Sequence, residues 1–160
     1  GVSTAIGVLL GKTLGHGDLQ QALEEKNRLL MAALLFGVIM GFVGMMTIFL
    51  IPLVFGSLSN SAQTICKEMV SGIALFMPIM VYVNAQYAVS RAGGDTKSLM
   101  FVDGMTTILL ILVGILFTIK YTQLGPVAMY MICRCVDFIR IVVAGILLKK
   151  ERWLKNLTAE

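Results

Sequence analysis

The stretch "SGIALFMPIMVYVNAQYAVSRAGGDTKSLM" (residues 71–100) joins two apolar runs through a short polar turn. The first run holds no charged residue as far as Ser90, and then Arg91, Asp95 and Lys97 follow in quick succession. A helix of about 20 apolar residues crosses the hydrocarbon core of a bilayer, and paired glycines suit a tight connection. The stretch therefore predicts two membrane-spanning helices joined by a tight polar turn.

The whole chain has a composition typical of a membrane protein. Of its 160 residues, 58% are hydrophobic and only 14% are charged, and the mean hydropathy is +0.88. Soluble domains carry about 25% charged residues. A second stretch without charge extends from Leu29 to Cys66. We therefore predict an all-α membrane protein, a polytopic bundle of transmembrane helices that lies in the lipid bilayer.

The lengths of the apolar runs predict four full spans, at about 29–55, 69–90, 99–119 and 125–148. Residues 1–14 are apolar and rich in small residues, but they cover only about half a span. We expect them to be the end of a fifth helix, and the chain to be a fragment of a longer protein.

Basic residues are distributed unequally between the two ends of these spans. If the spans alternate in direction, nine lysines and arginines fall on one side and only Lys67 and Lys120 on the other. Because cytoplasmic connections are enriched in lysine and arginine, we predict that the side with nine is cytoplasmic and that the tail, residues 149–160, lies there. The net charge of +4 then reports orientation, and we expect no nucleic-acid partner. The nine basic residues are Lys12, Lys26, Arg28, Arg91, Lys97, Lys149, Lys150, Arg152 and Lys155.

The residue patterns that most enzymes need are missing from the sequence. It holds no glycine-rich phosphate-binding loop that ends in Lys-Ser/Thr, and no paired His and Cys at metal-binding spacing. The single histidine, His16, lies in a glycine-rich turn, and Cys66, Cys133 and Cys135 are spaced as packing thiols. We therefore expect no catalytic residue, no bound metal and no cofactor, which leaves transport, conduction or assembly as functions.

Small residues in the first span predict close helix packing. Its segment "GVIMGFVG" places Gly37, Gly41 and Gly44 near one face. Residues of this size at this spacing let two helices approach closely in lipid. We predict a tight contact with a neighbouring helix, and a hinge is the alternative.

Uncharged polar side chains are concentrated in the second span. Pro78, Tyr82 and Gln86 recur every fourth residue and so share one stripe of a helix. Pro78 removes a backbone donor, frees the carbonyl of Ala74 and is expected to kink the helix. The polar residues could form the wall of a substrate cavity or only make interhelical hydrogen bonds, and both interpretations stay open. The candidates for the cavity wall are Met77, Tyr82, Asn84 and Gln86.

The last span holds the most deeply placed charges. Arg134, Asp137 and Arg140 follow each other at steps of three residues, so Asp137 can pair with either arginine along one face. A charge at the bilayer centre costs about 2.5–3.5 kcal/mol on insertion scales, and such residues are expected to pair or to face water. We interpret the three as candidates for ion coupling or for a functional charged cluster, with a purely structural ion pair as the alternative.

Three segments carry a family resemblance: "GVLLGKTLGHGDLQQA" (7–22), "YAVSRAGGDTK" (87–97) and the closing "RWLKNLT" (152–158). In order and spacing they resemble the multidrug and toxic compound extrusion (MATE) transporters, with the Arg-Ala-Gly-Gly-Asp-Thr turn as the most specific motif. The resemblance implies twelve helices in two six-helix lobes around a central cavity, working by alternating access. This chain would then be part of the C-terminal lobe, from the end of the eighth helix to the twelfth, with the N-terminal lobe as its partner.

The resemblance also implies a function, which is the export of cationic, amphipathic compounds in exchange for Na⁺ or H⁺. A carboxylate in a low-dielectric cavity attracts both protons and cations, so competition at one acid could couple the two movements. One branch of the family places such acids on the seventh and tenth helices, but the predicted tenth helix (69–90) contains no Asp or Glu. Another branch uses an aspartate of the N-terminal lobe. We therefore expect the coupling carboxylate to lie outside these residues, with Asp137 as the fallback.

Two other functions stay open. A flippase for lipid-linked saccharides, of a related fold, would favour a basic cavity, to which Arg134 and Arg140 could contribute. A membrane scaffold without transport would use the same polar residues for packing alone. The expected location is the plasma membrane, in bacteria the inner membrane, with several spans and a cytoplasmic C-terminus.

Overall fold

The computed structural model describes residues 1–57, 59–120, 125–150, 153 and 154. The regular structure of these residues is helical throughout, which confirms the predicted all-α class. In chain order the elements are α1 (Val2–Gly15), α2 (Leu19–Thr47), a 3₁₀ turn (Ile48–Leu50), α3 (Ile51–Val54), α4 (Asn60–Ala92), α5 (Thr96–Lys120) and α6 (Pro126–Lys149). The tail residues Arg152 and Lys155, and most of the closing "RWLKNLT", lie outside the described residues.

Three helical segments of the described chain are long and apolar enough to cross a membrane: Leu19–Val54, Asn60–Ala92 and Leu99–Phe117. They correspond to the first three predicted spans, and they expose large apolar side chains such as Phe42 (71%) and Phe49 (83%). α6 is also continuous over 24 residues, but it carries four charged residues within its length. Its crossing of the membrane therefore stays a prediction.

α2 and α4 begin earlier than the apolar runs alone predict. Asp18 caps α2 by accepting a hydrogen bond from the backbone N–H of Gln21 at 3.1 Å, and no Gly or Pro interrupts the polar residues that follow. Ser59 caps α4 in the same way. Near its far end the first predicted span is interrupted by the 3₁₀ turn, and Pro52 occupies the first turn of α3. Helix bounds thus follow caps and breakers rather than hydropathy.

The polar turn between α4 and α5 needs each of its two glycines for a different reason. Gly94 has a φ of 80°, a conformation that residues with a Cβ rarely adopt. Gly93 lies directly against the backbone of Trp153, where a Cβ would have no room. The N–H of Asp95 donates to the carbonyl of Ser90 at 3.1 Å and closes the turn. The tight connection predicted from the sequence is therefore present.

α4 is the central helix and contacts α1, α2, α5 and α6. Its contact with α2 passes through the glycine face: a Cβ at Gly37 would lie 2.8 Å from Pro78 Cα. A Cβ at Gly41 would lie 2.8 Å from the carbonyl oxygen of Ala74, which is the carbonyl that Pro78 leaves without its helical donor. The two backbones are thus as close as the spacing of small residues predicted.

A buried apolar cluster joins α1, α2, α4, α6 and Trp153 at one end of the bundle. Trp153 is only 1% exposed, and its Nε1–H donates to the carbonyl of Leu148 at 3.1 Å. The Lys26 ammonium lies 5.8 Å from the centre of its ring. The hydroxyl of Thr13 on α1 donates to the Glu25 carboxylate on α2. These contacts fix α1 against α2 and hold Trp153 over the end of α4.

Candidate functional site

The charged residues of α6 form a compact cluster around Asp137. This side chain is buried, at 3% exposure, and each of its oxygens accepts from a different arginine. Oδ2 lies 3.2 Å from Arg134 Nη1, and Oδ1 lies 3.5 Å from Arg140 Nη1. The structure thus brings together the three residues that the sequence placed on one face. Pairing of this kind is what a buried charge requires.

Arg140 connects this cluster to α5. Its Nε donates to Thr106 Oγ1 at 3.2 Å, and its Nη2 donates to Thr107 Oγ1 at 3.2 Å. The same Nη2 lies 3.7 Å from Asp103 Oδ1. The third nitrogen, Nη1, donates a hydrogen bond to Asp137. Every nitrogen of this guanidinium group therefore has a partner. Arg140 acts as a fixed bridge between α5 and α6.

Arg134 is less fully engaged than Arg140. Its Nε donates to the hydroxyl of Tyr130 at 2.9 Å, and its guanidinium carbon lies 5.0 Å from the centre of the Tyr130 ring. Its Nη1 is the group bonded to Asp137. Within the described part of the chain, no hydrogen bond reaches its Nη2. The Nη2 group of Arg134 can therefore still donate hydrogen bonds, while the contacts with Tyr130 and Asp137 fix the orientation of the side chain.

A cleft of about 330 Å³ lies between α4, α5 and α6, and the charged cluster forms one wall of it. The opposite wall is a face of α4 whose residues recur at steps of four, three and four: Met80, Asn84, Tyr87 and Arg91. The remaining lining residues are Val83, Asp103, Thr107, Arg134, Asp137 and Arg140. Three arginines and two aspartates thus surround one cavity.

Two polar groups of α4 are buried without a hydrogen bond. The Tyr87 hydroxyl and the Gln86 Oε1 atom have no partner among the described residues, although both side chains are at most 6% exposed. The Thr106 hydroxyl, which interacts with the Tyr87 side chain, also donates to the carbonyls of Val102 and Asp103 and accepts from Arg140. A buried polar group without a partner costs about 1–3 kcal/mol. In folded proteins most such groups are satisfied by a protein group, an ordered water or an ion.

The residues predicted for the cavity wall contact different neighbours of α4. Asn84 lines the charged cleft. Tyr82 lines a separate cleft of about 370 Å³ next to α2. Met77 packs near Gly37 and Gly41, and Gln86 points toward α6, where its Nε2 would lie 3.6 Å from a Cβ at Gly145. Pro78 contacts α2, as described above. Asn84 and Tyr82 therefore line different clefts, and a shared wall formed by all four residues stays a prediction.

The sequence contains a signal for further residues of the cleft that are not among the predicted candidates. Tyr87 and Arg91 continue the helix face that begins with Met80 and Asn84. The stripe that starts at Pro78 lies on another face of the same helix. Asp103, Thr106 and Thr107 stand close together at the start of α5, and only their contact with Arg140 shows that they belong to the site.

Comparison with known proteins adds a family assignment. The family model described as MatE matches residues 1–119, which include α1, α2, α3, α4 and most of α5. The charged cluster lies on α6, after the matched region. No curated protein and no solved structure matches the chain. The match covers most of the chain and agrees with three helices able to cross a membrane, so the chain belongs to the MatE family of membrane transporters.

Proposed function

We propose that the protein to which this chain belongs exports cationic, amphipathic compounds in exchange for Na⁺ or H⁺ by alternating access. The observation that carries the proposal is the family match over residues 1–119. The polar cleft supports it further, because membrane transporters keep their polar and ionisable residues where a substrate or ion passes. Its partners are then the lipid bilayer, the cationic substrate and the N-terminal lobe, with the C-terminus in the cytoplasm of a bacterial cell.

The coupling ion binds outside this chain. Both oxygens of Asp137 already accept from arginines, so Na⁺ would have to displace a guanidinium group before it could bind there. Sodium and other hard cations require several free oxygen ligands. Asp137 therefore orders Arg134 and Arg140 rather than exchanging ions, and the carboxylate that does so belongs to another part of the protein.

Dye efflux from everted membrane vesicles that contain the full-length transporter tests this proposal. We expect export of a cationic dye that stops when the Na⁺ gradient or the pH gradient, whichever drives it, is collapsed with a selective ionophore. Vesicles with a transporter locked by a cross-link between its two lobes serve as the negative control. Absence of gradient-dependent efflux for every cationic dye in a chemically diverse set would contradict the proposal.

A further inference from the structure

A separate cleft of about 290 Å³ opens between the end of α4 and the start of α5. α4 and most of α5 are long and apolar enough to cross a membrane, so the turn that joins them lies at a membrane surface. Arg91, Thr96 and Met100 on the rim of the cleft are exposed. The cleft is therefore open to the headgroups of the adjoining leaflet. Six residues line this interfacial cleft: Tyr87, Arg91, Thr96, Leu99, Met100 and Asp103.

The interfacial cleft presents one cation and one anion that can both take a further partner. No hydrogen bond or ion pair reaches the Arg91 side chain from the described residues. The Asp103 side chain is 56% exposed, and only its Oδ1 atom is near a cation, at 3.7 Å from Arg140 Nη2. The adjoining turn adds Asp95 and Lys97, whose charges cancel. A ligand that carries both a positive and a negative group would therefore find a counter-charge for each of them.

An apolar surface continues from the interfacial cleft along α5. Met100, Asp103, Thr107 and Ile111 follow each other at steps of three, four and four residues and so share one face of the helix. Met100 is 71% exposed and Ile111 is 52% exposed. Transmembrane proteins recognise lipid headgroups in polar pockets between helices, beside surfaces that contact the acyl chains. The charged pair and the apolar face together suit a phospholipid with a zwitterionic headgroup.

We propose that the interfacial cleft binds the headgroup of phosphatidylethanolamine. Arg91 donates to the lipid phosphate, and Asp103 accepts from the lipid ammonium. A volume of about 290 Å³ is near the lower limit of about 300 Å³ for ligand cavities, which suits a headgroup whose acyl chains lie outside, on α5. An anionic lipid such as phosphatidylglycerol would use Arg91 alone. The inference concerns a lipid partner and does not depend on which compound is transported.

Competition between phosphatidylethanolamine and phosphatidylcholine tests the inference. The two lipids carry the same acyl chains and the same phosphate, and they differ only in three N-methyl groups that remove every N–H donor. Binding of the first lipid to the full-length transporter is measured by native mass spectrometry with equimolar lipids. For the wild type we expect a preference of about tenfold for phosphatidylethanolamine, as for one charge-assisted hydrogen bond.

Two variants assign the parts of the headgroup to the two residues. Asp103→Ala removes the acceptor for the ammonium, so the preference should fall to about one. Arg91→Gln removes the donor to the phosphate that both lipids share, so binding of both should fall by about tenfold while their ratio stays. The controls are Glu24→Ala and Arg28→Gln, which change an exposed ion pair on α2 and should leave the binding of both lipids as in the wild type.

Several results would overturn the inference. One is equal binding of the two lipids by the wild type, and another is an unchanged preference in Asp103→Ala. Unchanged binding of both lipids in Arg91→Gln would remove the assigned phosphate donor. If Asp103→Ala fails to fold, N,N-dimethyl-phosphatidylethanolamine decides, because it keeps one N–H and should still bind better than phosphatidylcholine to the wild type. If phosphatidylglycerol displaces phosphatidylethanolamine from the wild type, the occupant is an anionic lipid and the assignment to a zwitterionic headgroup is wrong.

Discussion

At Asp137 the cost of burying a charged side chain is offset by its attraction to two arginines. Two arginines on its own helix lie within 3.5 Å of its carboxylate, and the side chain is almost fully buried. Removing charges from water is costly, and the attraction between them offsets that cost only when the geometry satisfies their hydrogen bonds. Here the aspartate is central, because each arginine has further partners of its own, whereas the aspartate side chain is held by the arginines alone among the described residues.

We expect Asp137→Asn to destabilise the protein by about 1–3 kcal/mol, because it removes the counter-charge that two half-buried guanidinium groups share, while Arg140 keeps its pairing with Asp103. The measurement is the thermal unfolding of the full-length transporter in detergent, followed by size-exclusion chromatography with fluorescence detection. Gradient dependence of efflux in whatever protein still folds should be retained, since the coupling ion is proposed to bind elsewhere.

Glu24→Gln is the matched control for this experiment. Glu24 forms an ion pair with Arg28 on α2 at 3.9 Å, but the two side chains are 68% and 81% exposed. Exposed pairs contribute about 0–1 kcal/mol, so this variant should unfold near the wild-type temperature. If Asp137→Asn and Glu24→Gln lowered the unfolding temperature equally, burial of Asp137 would not determine its contribution to stability.

At the scale of helices, the glycine face of α2 sets the distance to α4. Gly41→Ala should destabilise the contact by about 1–3 kcal/mol, because the new methyl group would collide with the Ala74 carbonyl and overpacked interiors lose free energy of this size. Gly11→Ala is the control, since a Cβ there meets nothing within 4 Å and alanine raises helix stability by about 0.5–1 kcal/mol. Thermal unfolding in detergent measures both. A Gly41→Ala variant as stable as Gly11→Ala would show that the helices separate freely.

A second contact between elements joins Trp153 to the turn after α4. Gly93→Ala would push its methyl group into the Trp153 backbone, and Trp153→Ala would empty a site in the core of the cluster. Loss of a buried tryptophan side chain costs about 3–5 kcal/mol. We expect both variants to lower the unfolding temperature. Because the two residues are in contact, the double variant should lower the free energy of unfolding by less than the sum of the two single decreases. Strict additivity would mean that Trp153 does not dock on this turn.

Some features of the helices could be predicted from the sequence, and others could not. Hydropathy located three spans, and glycine spacing identified the face of α2 that packs on α4. The surroundings of α4 could not be predicted so well, because Tyr82, Asn84 and Gln86 are all polar and each meets different neighbours. Their roles depend on which neighbour lies opposite each of them, and periodicity within one helix carries no information about its neighbours.

At the scale of the whole molecule, the site depends on contacts between residues distant in sequence. Arg140 bonds to Thr106 and Thr107, which are more than thirty positions earlier. The sequence could identify Arg134, Asp137 and Arg140 because they share one helix and a regular spacing. It could not identify Tyr87, whose importance comes from being buried without a partner beside charges on α6.

The orientation of the bundle is open to a direct test by cysteine labelling. In a full-length transporter with Cys66, Cys133 and Cys135 replaced by serine, single cysteines are placed at Asp95 and Ser57. Reaction with a membrane-impermeant maleimide is compared in intact cells and in everted vesicles. Because the basic residues concentrate on one side, we expect Asp95→Cys to react only in everted vesicles and Ser57→Cys only in intact cells. Reaction of Asp95→Cys in intact cells would reverse the orientation.

The same labelling decides whether α6 crosses the membrane. Gly125 and Lys150 flank the helix and are exposed, so cysteines at these positions report its two ends. A crossing helix places Gly125→Cys outside the cell and Lys150→Cys inside, and 24 residues at about 1.5 Å each are long enough for the hydrocarbon core. The cost of its charges is lowered by the pairing around Asp137. If both cysteines react from the same side, α6 does not span the bilayer, and the cleft beside it cannot lie within the membrane as a transport site requires.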